Sequence, residues 1–373
     1  MKRVTLITVA KVLVLSAFSA HGAEPKSPNI LWVVSEDNTY NYVSAYGDPL
    51  AHTPNIDRLA HDGIVFKNAH STAPVCSASR ASVITGMYAS SLGLQHHRSI
   101  YPLPLNVHYF PEFLRKVGYF TTNNDKTDYN TPGTNTPNSY AEAWDENNST
   151  AHWRHRAPGQ PFFAVFNFYE SHESVIYKRQ PLMTDPSKVH IPAYLPDTPD
   201  VRADLAQYYD SVNRADEKIG EVLKELEADG LADDTIIFYY SDNGGVVSGS
   251  KRFLYDYGTH TALVVRFPKK YQHLAPPSAY GTNSELVNNV DFAPTTLSLV
   301  GVPIPGYMQG RAFAGLERVP PPRYTFLIRD RIDERYDLVR AVTDGHFRYV
   351  RNFRPGCQRQ NFCATGVNQT VPV

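Results

Sequence analysis

Apolar residues in this chain gather in short unbroken runs separated by polar stretches containing glycine and proline. "NILWVVS" (29–35), "IVFKNAH" (64–70), "GYFTTNN" (118–124), "PFFAVFNFY" (161–169), "DTIIFYYSD" (234–242) and "ALVVRFP" (262–268) are rich in β-branched and aromatic residues. Continuous rather than alternating runs predict strands buried on both faces. Between them the period changes. In "RADLAQYYDSVNRADEKIGEVLKELEADG", Leu205, Tyr209, Val212, Ile219, Val222 and Leu226 recur at helical spacing and Gly230 supplies the stop. "NNVDFAPTTLSLVG" ends another helix. This alternation predicts an α/β fold in which a mostly parallel central sheet is sandwiched by helices. Beyond residue 310 the pattern shifts to "RVPPPRYTFLIRD" and "YDLVRAVTDGHFRYVRNF", with Asp344-Gly345 between alternating runs. Asp-Gly in that setting is a hairpin signal, so a small antiparallel sheet is expected there.

Composition and charge narrow the picture. A chain of 373 residues, 42% hydrophobic, supports one large core plus an appendage. The formal net charge of −1, with both signs interspersed, leaves no footprint for nucleic acid or an anionic membrane. At the N-terminus Lys2 and Arg3 precede an apolar run to Ala20, followed by Gly22 and Ala23. This pattern predicts a signal peptide over 1–23; Lys11 leaves the run too short for an anchor. The expected organisation is therefore 1–23 removed on export, 24–310 the α/β domain and 311–373 a small C-terminal subdomain without a closing element. The mature protein is expected to be periplasmic or secreted. In that oxidising setting Cys357 and Cys363 can close a small loop, which leaves Cys76 as the odd cysteine.

Ligands of open parallel sheets sit beyond the carboxyl ends of the strands, and those positions are unusually polar here. Glu36 and Asp37 follow the first run, Lys126 the third, His172 the fourth, and Asp242 with Asn243 the fifth. One acid at a strand end is ordinarily a cap or turn former. Four strand ends agreeing point to a site. Three carboxylates and an amide oxygen form a hard donor set suited to calcium, with magnesium as the alternative, rather than zinc.

The stretch "CSASR" at 76–80, continued by "ASVITGMY", resembles the C-x-P-x-R signature of the sulfatases of the alkaline phosphatase superfamily. The likeness extends through "PNILWVVSEDN", "TPNIDRLAHDGIVFKNAH", "SDNGG" and "VDFAPTTLSLVGVP". "KTDYN", "AHWR" and "SHES" are similar to bacterial members close to the heparan N-sulfatases. The resemblance implies that Cys76 is oxidised to Cα-formylglycine by a maturation enzyme. It implies that Glu36, Asp37, Cys76, Asp242 and Asn243 hold one divalent metal, and that Arg80, Lys126, His172 and Lys251 surround the sulfate. The aldehyde hydrate offers two hydroxyls on one carbon, one to attack sulfur and one to expel sulfate as the aldehyde reforms. His172 is the expected proton donor to the leaving group. Three positions depart from the family pattern: Ala78 for the signature proline, Glu36 for aspartate, and Asp128 where histidine is usual.

The expected function is thus sulfate ester or N-sulfate hydrolysis on glycan fragments. Two alternatives stand beside it: a phosphatase or phosphonate monoester hydrolase of the same superfamily, and an inactive glycan-binding homologue. Loops 95–108 and 128–158 are expected to read the sugar, and "AHWRHR" at 151–156 is weighed equally as an anionic-sugar contact and as a solvated loop. His96, His97 and His260 are read as pocket or core residues of secondary weight.

Overall fold

The computed structural model describes residues 27–133, 139–277, 280–332 and 336–355. The segment 1–23, Cys357 and Cys363 lie outside the described residues. Eight strands form one sheet: β1 (Asn29–Ser35), β2 (Ile64–His70), β3 (Phe120–Asn124), β4 (Glu146–Asn147), β5 (Phe162–Phe168), β6 (Thr235–Ser241), β7 (Leu263–Arg266) and β8 (Gly281–Asn288). Their order is β4-β3-β5-β1-β6-β7-β2-β8. All pairings are parallel except those of β7, which runs against both β6 and β2.

The unbroken apolar runs have the double burial they predict. Along β1, Ile30, Trp32 and Val34 enter one core while Leu31 and Val33 enter the other. Helices α1 (Pro54–His61), α2 (Cys76–Thr85), α3 (Phe110–Lys116), α4 (Glu173–Ile176), α5 (Pro199–Ala228), α6 (Asp256–Thr259) and α7 (Phe292–Leu299) complete the layers. The Trp32 face is covered by α2, α3 and α7, the Leu31 face by α1 and α5. Helix α5 begins earlier than its apolar period, because the Thr198 hydroxyl accepts from the Val201 N–H and Pro199 fits the first turn. In α2 every residue is buried, and its small side chains (Ser77, Ala78, Ser79, Ala81, Ser82) allow close approach to the sheet.

Strand β8 was not expected. It is an edge strand, and "GTNSELVN" carries the polar residues that edges use against further pairing. Beyond it, β9 (Thr325–Arg329), β10 (Val339–Thr343) and β11 (Arg348–Asn352) form the antiparallel C-terminal sheet in the order β11-β10-β9. Gly345 closes the β10–β11 hairpin at φ 88°, a conformation that favours glycine. The inner face of this sheet, Leu327, Val339 and Ala341, packs on Leu254, and the Ile328 N–H donates to Thr72 O at 2.8 Å. The sheet thereby braces the loops leading to α2 and α6.

Trp32 is the hub of its core, meeting the rings of Phe110, Phe163, Phe238, Tyr240 and Phe292 at centroid distances of 4.9 to 6.1 Å. Trp32→Ala is expected to lower the unfolding free energy by about 3–5 kcal/mol, measured by urea denaturation.

Candidate active site

Strands β1 and β6 are neighbours in register, so the residues that follow them meet. Ser35 pairs with Ser241, which sets Glu36 and Asp37 beside Asp242 and Asn243. Asp37 takes φ 46°, a left-handed turn that aspartate tolerates better than most residues. Its backbone N–H donates to Asp242 Oδ1 at 3.1 Å, and its Oδ1 accepts from Asn243 Nδ2 at 2.8 Å. Cys76 opens α2 with its Sγ 3.7 Å from Asp37 Oδ1. Ligand atoms of Glu36, Asp37, Cys76 and Asp242 all lie within 4.8 Å of one another, and all four residues are buried.

One turn along α2, Arg80 reaches the same cluster. Its Nε donates to Asp242 Oδ2 at 3.1 Å and Nη1 to Asn167 Oδ1 at 2.8 Å, while Nη2 pairs with Glu36 Oε1. Lys126, beyond β3, pairs with Glu36 Oε2. Lys251 donates to Asp37 Oδ2 at 2.6 Å and lies 3.5 Å from Glu173. His172 caps α4: the Ser174 N–H donates to its Nδ1 at 3.2 Å, so the neutral ring carries its hydrogen on Nε2, 3.9 Å from Asp37. All nine residues singled out in the sequence are therefore joined in one contact network.

The network holds further members that carry no sequence signature. Glu173 takes Arg252 in a two-pronged pair at 2.6 and 3.0 Å, and its N–H donates to Asp37 Oδ2 at 2.9 Å. Asn167 is the polar residue inside the apolar run of β5, the one hint available. The Tyr208 hydroxyl, from α5, donates to Asp37 O at 2.6 Å. Other expectations change. Trp153 is fully buried and donates to Asp229 at 2.8 Å; Arg154 pairs with Asp229 and Glu225, and His155 with Glu146. "AHWRHR" thus anchors the end of α5 instead of presenting a ring to a sugar. His260 stacks on Tyr40 with centroids 3.9 Å apart and pairs with Asp256, a structural position.

Burial drives the protonation chemistry. It pushes the Cys76 thiol well up, against the pull of Lys126 and Lys251. Burial would also raise Asp37, but Lys251, His172 and Lys126 outweigh it and hold the carboxylate below its ordinary range. Asp242 moves up through burial and the nearby Glu36 charge. Burial lowers His172, with Asp37 opposing. Each carboxylate meets a cation: Glu36, Asp37, Asp242 and Glu173 are matched by Arg80, Lys126, Lys251 and Arg252.

The cluster fits a divalent metal. Asn243 Oδ1 is buried without a hydrogen-bond partner beside three carboxylates, an acceptor left over by the protein's own network. Glu36, Asp37, Asp242 and Asn243 give hard oxygen donors.

Residues 28–302 match the family described as Sulfatase. This chain belongs to the sulfatase family. It is 38% identical over 380 residues to an ulvan-active sulfatase of Formosa agariphila, covering 89% of this chain and 62% of that protein. To human N-sulphoglucosamine sulphohydrolase it is 28% identical over 381 residues, covering 87% of this chain and 73% of that one. The sulfatase fold is shared with a solved protein bound to its substrate D-glucosamine-2-N,6-O-disulfate, at TM-score 0.67 and 20% identity, covering 87% and 88% of the two chains. A phosphonate monoester hydrolase from Silicibacter pomeroyi matches at TM-score 0.69 and 21% identity, covering 87% of each.

In this sulfatase, alanine in place of the family's signature proline is compatible with α2. Ala78 lies in the first turn, where no residue four positions back lies within the helix to receive its N–H, so the position needs no backbone donor and accepts alanine. Arg80 is the linchpin between Glu36, Asp242 and Asn167. Arg80→Ala leaves buried Asp242 without its cation and Glu36 with Lys126 alone, and is expected to cost about 3–5 kcal/mol in chemical denaturation. Adding calcium or magnesium to chelator-treated protein is expected to raise its melting temperature, by the equivalent of about 2.7 kcal/mol at a hundredfold excess over Kd. In Asp242→Asn this rise is expected to shrink.

Proposed function

We propose that this protein is an exported sulfatase that hydrolyses sulfate esters or N-sulfate groups on glycan fragments, using Cys76 as formylglycine and one divalent metal. The observation that carries the reading is the seating of Cys76 at the start of α2, within 4.8 Å of three buried carboxylates and ringed by Arg80, Lys126, His172 and Lys251. The charged pattern of Lys2 and Arg3 before an apolar run supports export.

The modified residue supplies the nucleophilic hydroxyl, and a calcium or magnesium ion supplies Lewis-acid polarisation of a sulfuryl oxygen. The chain's residues do the rest. Glu36, Asp37, Asp242 and Asn243 would hold the ion. Lys126 and Lys251, which pair with Glu36 and Asp37 beside Cys76, would meet the sulfate oxygens. Three carboxylates against Arg80, Lys126 and Lys251 sum to zero, so a divalent ion and a sulfate monoester of charge about −1 leave the site near +1. His172 would present Nε2 to the leaving group and protonate it from the imidazolium form, in which Nδ1–H donates to the Ser174 hydroxyl 2.8 Å away instead of accepting from the Ser174 N–H.

The names of the relatives favour a sulfated glycan: one acts on ulvan, another on N-sulphoglucosamine. The residues around the sulfur are common to S–O and S–N cleavage, so the choice lies with the rim of the pocket. Mass spectrometry of the Cys76 peptide from a host with a maturation system is expected to show CH2SH replaced by CHO, and Cys76→Ala to lower kcat by about a thousandfold or more. An intact thiol in fully active protein would refute the first claim. Ulvan fragments, N-sulfoglucosamine, an aryl sulfate and a phosphonate monoester should be compared by kcat/KM. A glycan substrate is expected to lead; an aryl sulfate ahead by more than about a hundredfold, nearly 3 kcal/mol in transition-state binding, would overturn the glycan reading.

A further inference from the structure

The near-zero net charge conceals a segregation. Residues 311–355 hold ten arginines and no lysine against six carboxylates. Nine of the twenty exposed large hydrophobic side chains of the described residues fall within 316–353, about a tenth of the chain. Strand register sets their arrangement. Phe326, Val342 and Tyr349 lie directly opposite one another across β9, β10 and β11. Leu327, Val339 and Ala341 occupy one buried face, and this row stands on the other, which is open at Phe326 and Tyr349 while Ile328, at the far end of β9, is buried in the main core. Phe326 is 55% exposed and Tyr349 65%. The two end strands are separated by two strand spacings, about 10 Å.

Arginine is interleaved with these rings. Arg351, two residues after Tyr349 and on the same face, lies 4.6 Å from the centroid of Phe353. Arg354 lies 4.7 Å from that of Tyr336, and Arg323 lies 5.1 Å from that of Tyr324. Arg311, Arg318, Arg329, Arg340 and Arg348 each pair with an acid. Arg323, Arg351 and Arg354 meet no carboxylate among the described residues. A guanidinium lying on a ring keeps its in-plane N–H groups available, a fork that matches an oxyanion bidentately, while ring faces suit the apolar face of a pyranose.

We propose that the outer face of the C-terminal sheet is a second, non-catalytic binding surface for sulfated polysaccharide. It rests on the reading of the active site as one acting on sulfated glycans. Charge complementarity selects the occupant. A neutral glycan would use the rings and leave the three arginines unmatched, whereas a chain bearing sulfates beside its sugar rings engages both. Because the inner face of the same sheet braces the loops of the active site, a polymer held outside stays close to the residues that cut.

The test uses full-length protein in a Cys76→Ala background, so binding is read without turnover and a failed activity assay leaves it intact. Heparin is the probe. Tyr349→Ala/Arg351→Ala is expected to weaken heparin binding about tenfold, Phe326→Ala to weaken it in the same direction, and salt raised from about 50 to about 200 mM to weaken the parent. With Cys76 intact, the double variant is expected to keep the parent kcat/KM on a sulfated monosaccharide. Unchanged heparin affinity in both variants would overturn the proposal. So would equal binding of desulfated heparin, equal binding of phosphatidylserine vesicles, or a loss of monosaccharide turnover in the double variant.

Discussion

The architecture turns on the need to keep four buried carboxylates neutralised at one end of a hydrophobic sheet. An uncompensated charge there costs several kcal/mol, so Glu36, Asp37, Asp242 and Glu173 dictate where their partners must lie. That demand reaches across the chain. Arg80 comes from α2, Lys126 from beyond β3, and Lys251 with Arg252 from the long connection after β6. Elements remote in sequence are tied together by charge where the rest of the fold is tied by apolar packing.

The position of Cys76 follows from the same constraint. Arg80 must reach between Glu36 and Asp242, which fixes the rotation of α2 and with it the first residue of that helix, four positions earlier on the same side. The small residues of α2 let it sit close enough for this to work. Local sequence, helix placement and charge pairing agree, and agreement across levels makes the site specific.

Much of this was legible in the sequence. The runs around Trp32, Phe163 and Phe238 read as strands because burial on both faces leaves no polar alternation, and α5 because Leu205, Val212, Ile219 and Leu226 keep a strict period. Strand β8 was hidden, because an edge strand needs no continuous apolar run. Glu36, Asp37, Asp242 and Asn243 stood out as polar residues immediately after apolar runs. Glu173, Arg252 and Asn167 did not. Their meaning lies in partners far along the chain, and a carboxylate in "SHES" looks locally like any helix-capping acid. The role of "AHWRHR", left open between a sugar contact and a solvated loop, was hidden for the same reason: Asp229 and Glu225, which claim Trp153 and Arg154, are more than seventy residues away.

The reversed strand β7 carries a topological consequence. In a parallel sheet each connection must travel back to the far edge before the next strand can begin. Because β7 descends from the end at which β6 finishes, both feet of the 242–262 connection stand on the same rim. No residue of that stretch is spent on a return journey. Lys251, Arg252 and the Leu254 brace are carried on a hairpin-like insertion that could lengthen or shorten without re-threading the sheet. The chain has thereby put a connection that begins and ends on the rim of the site in charge of two of its cations, and has left the crossovers to hold the frame.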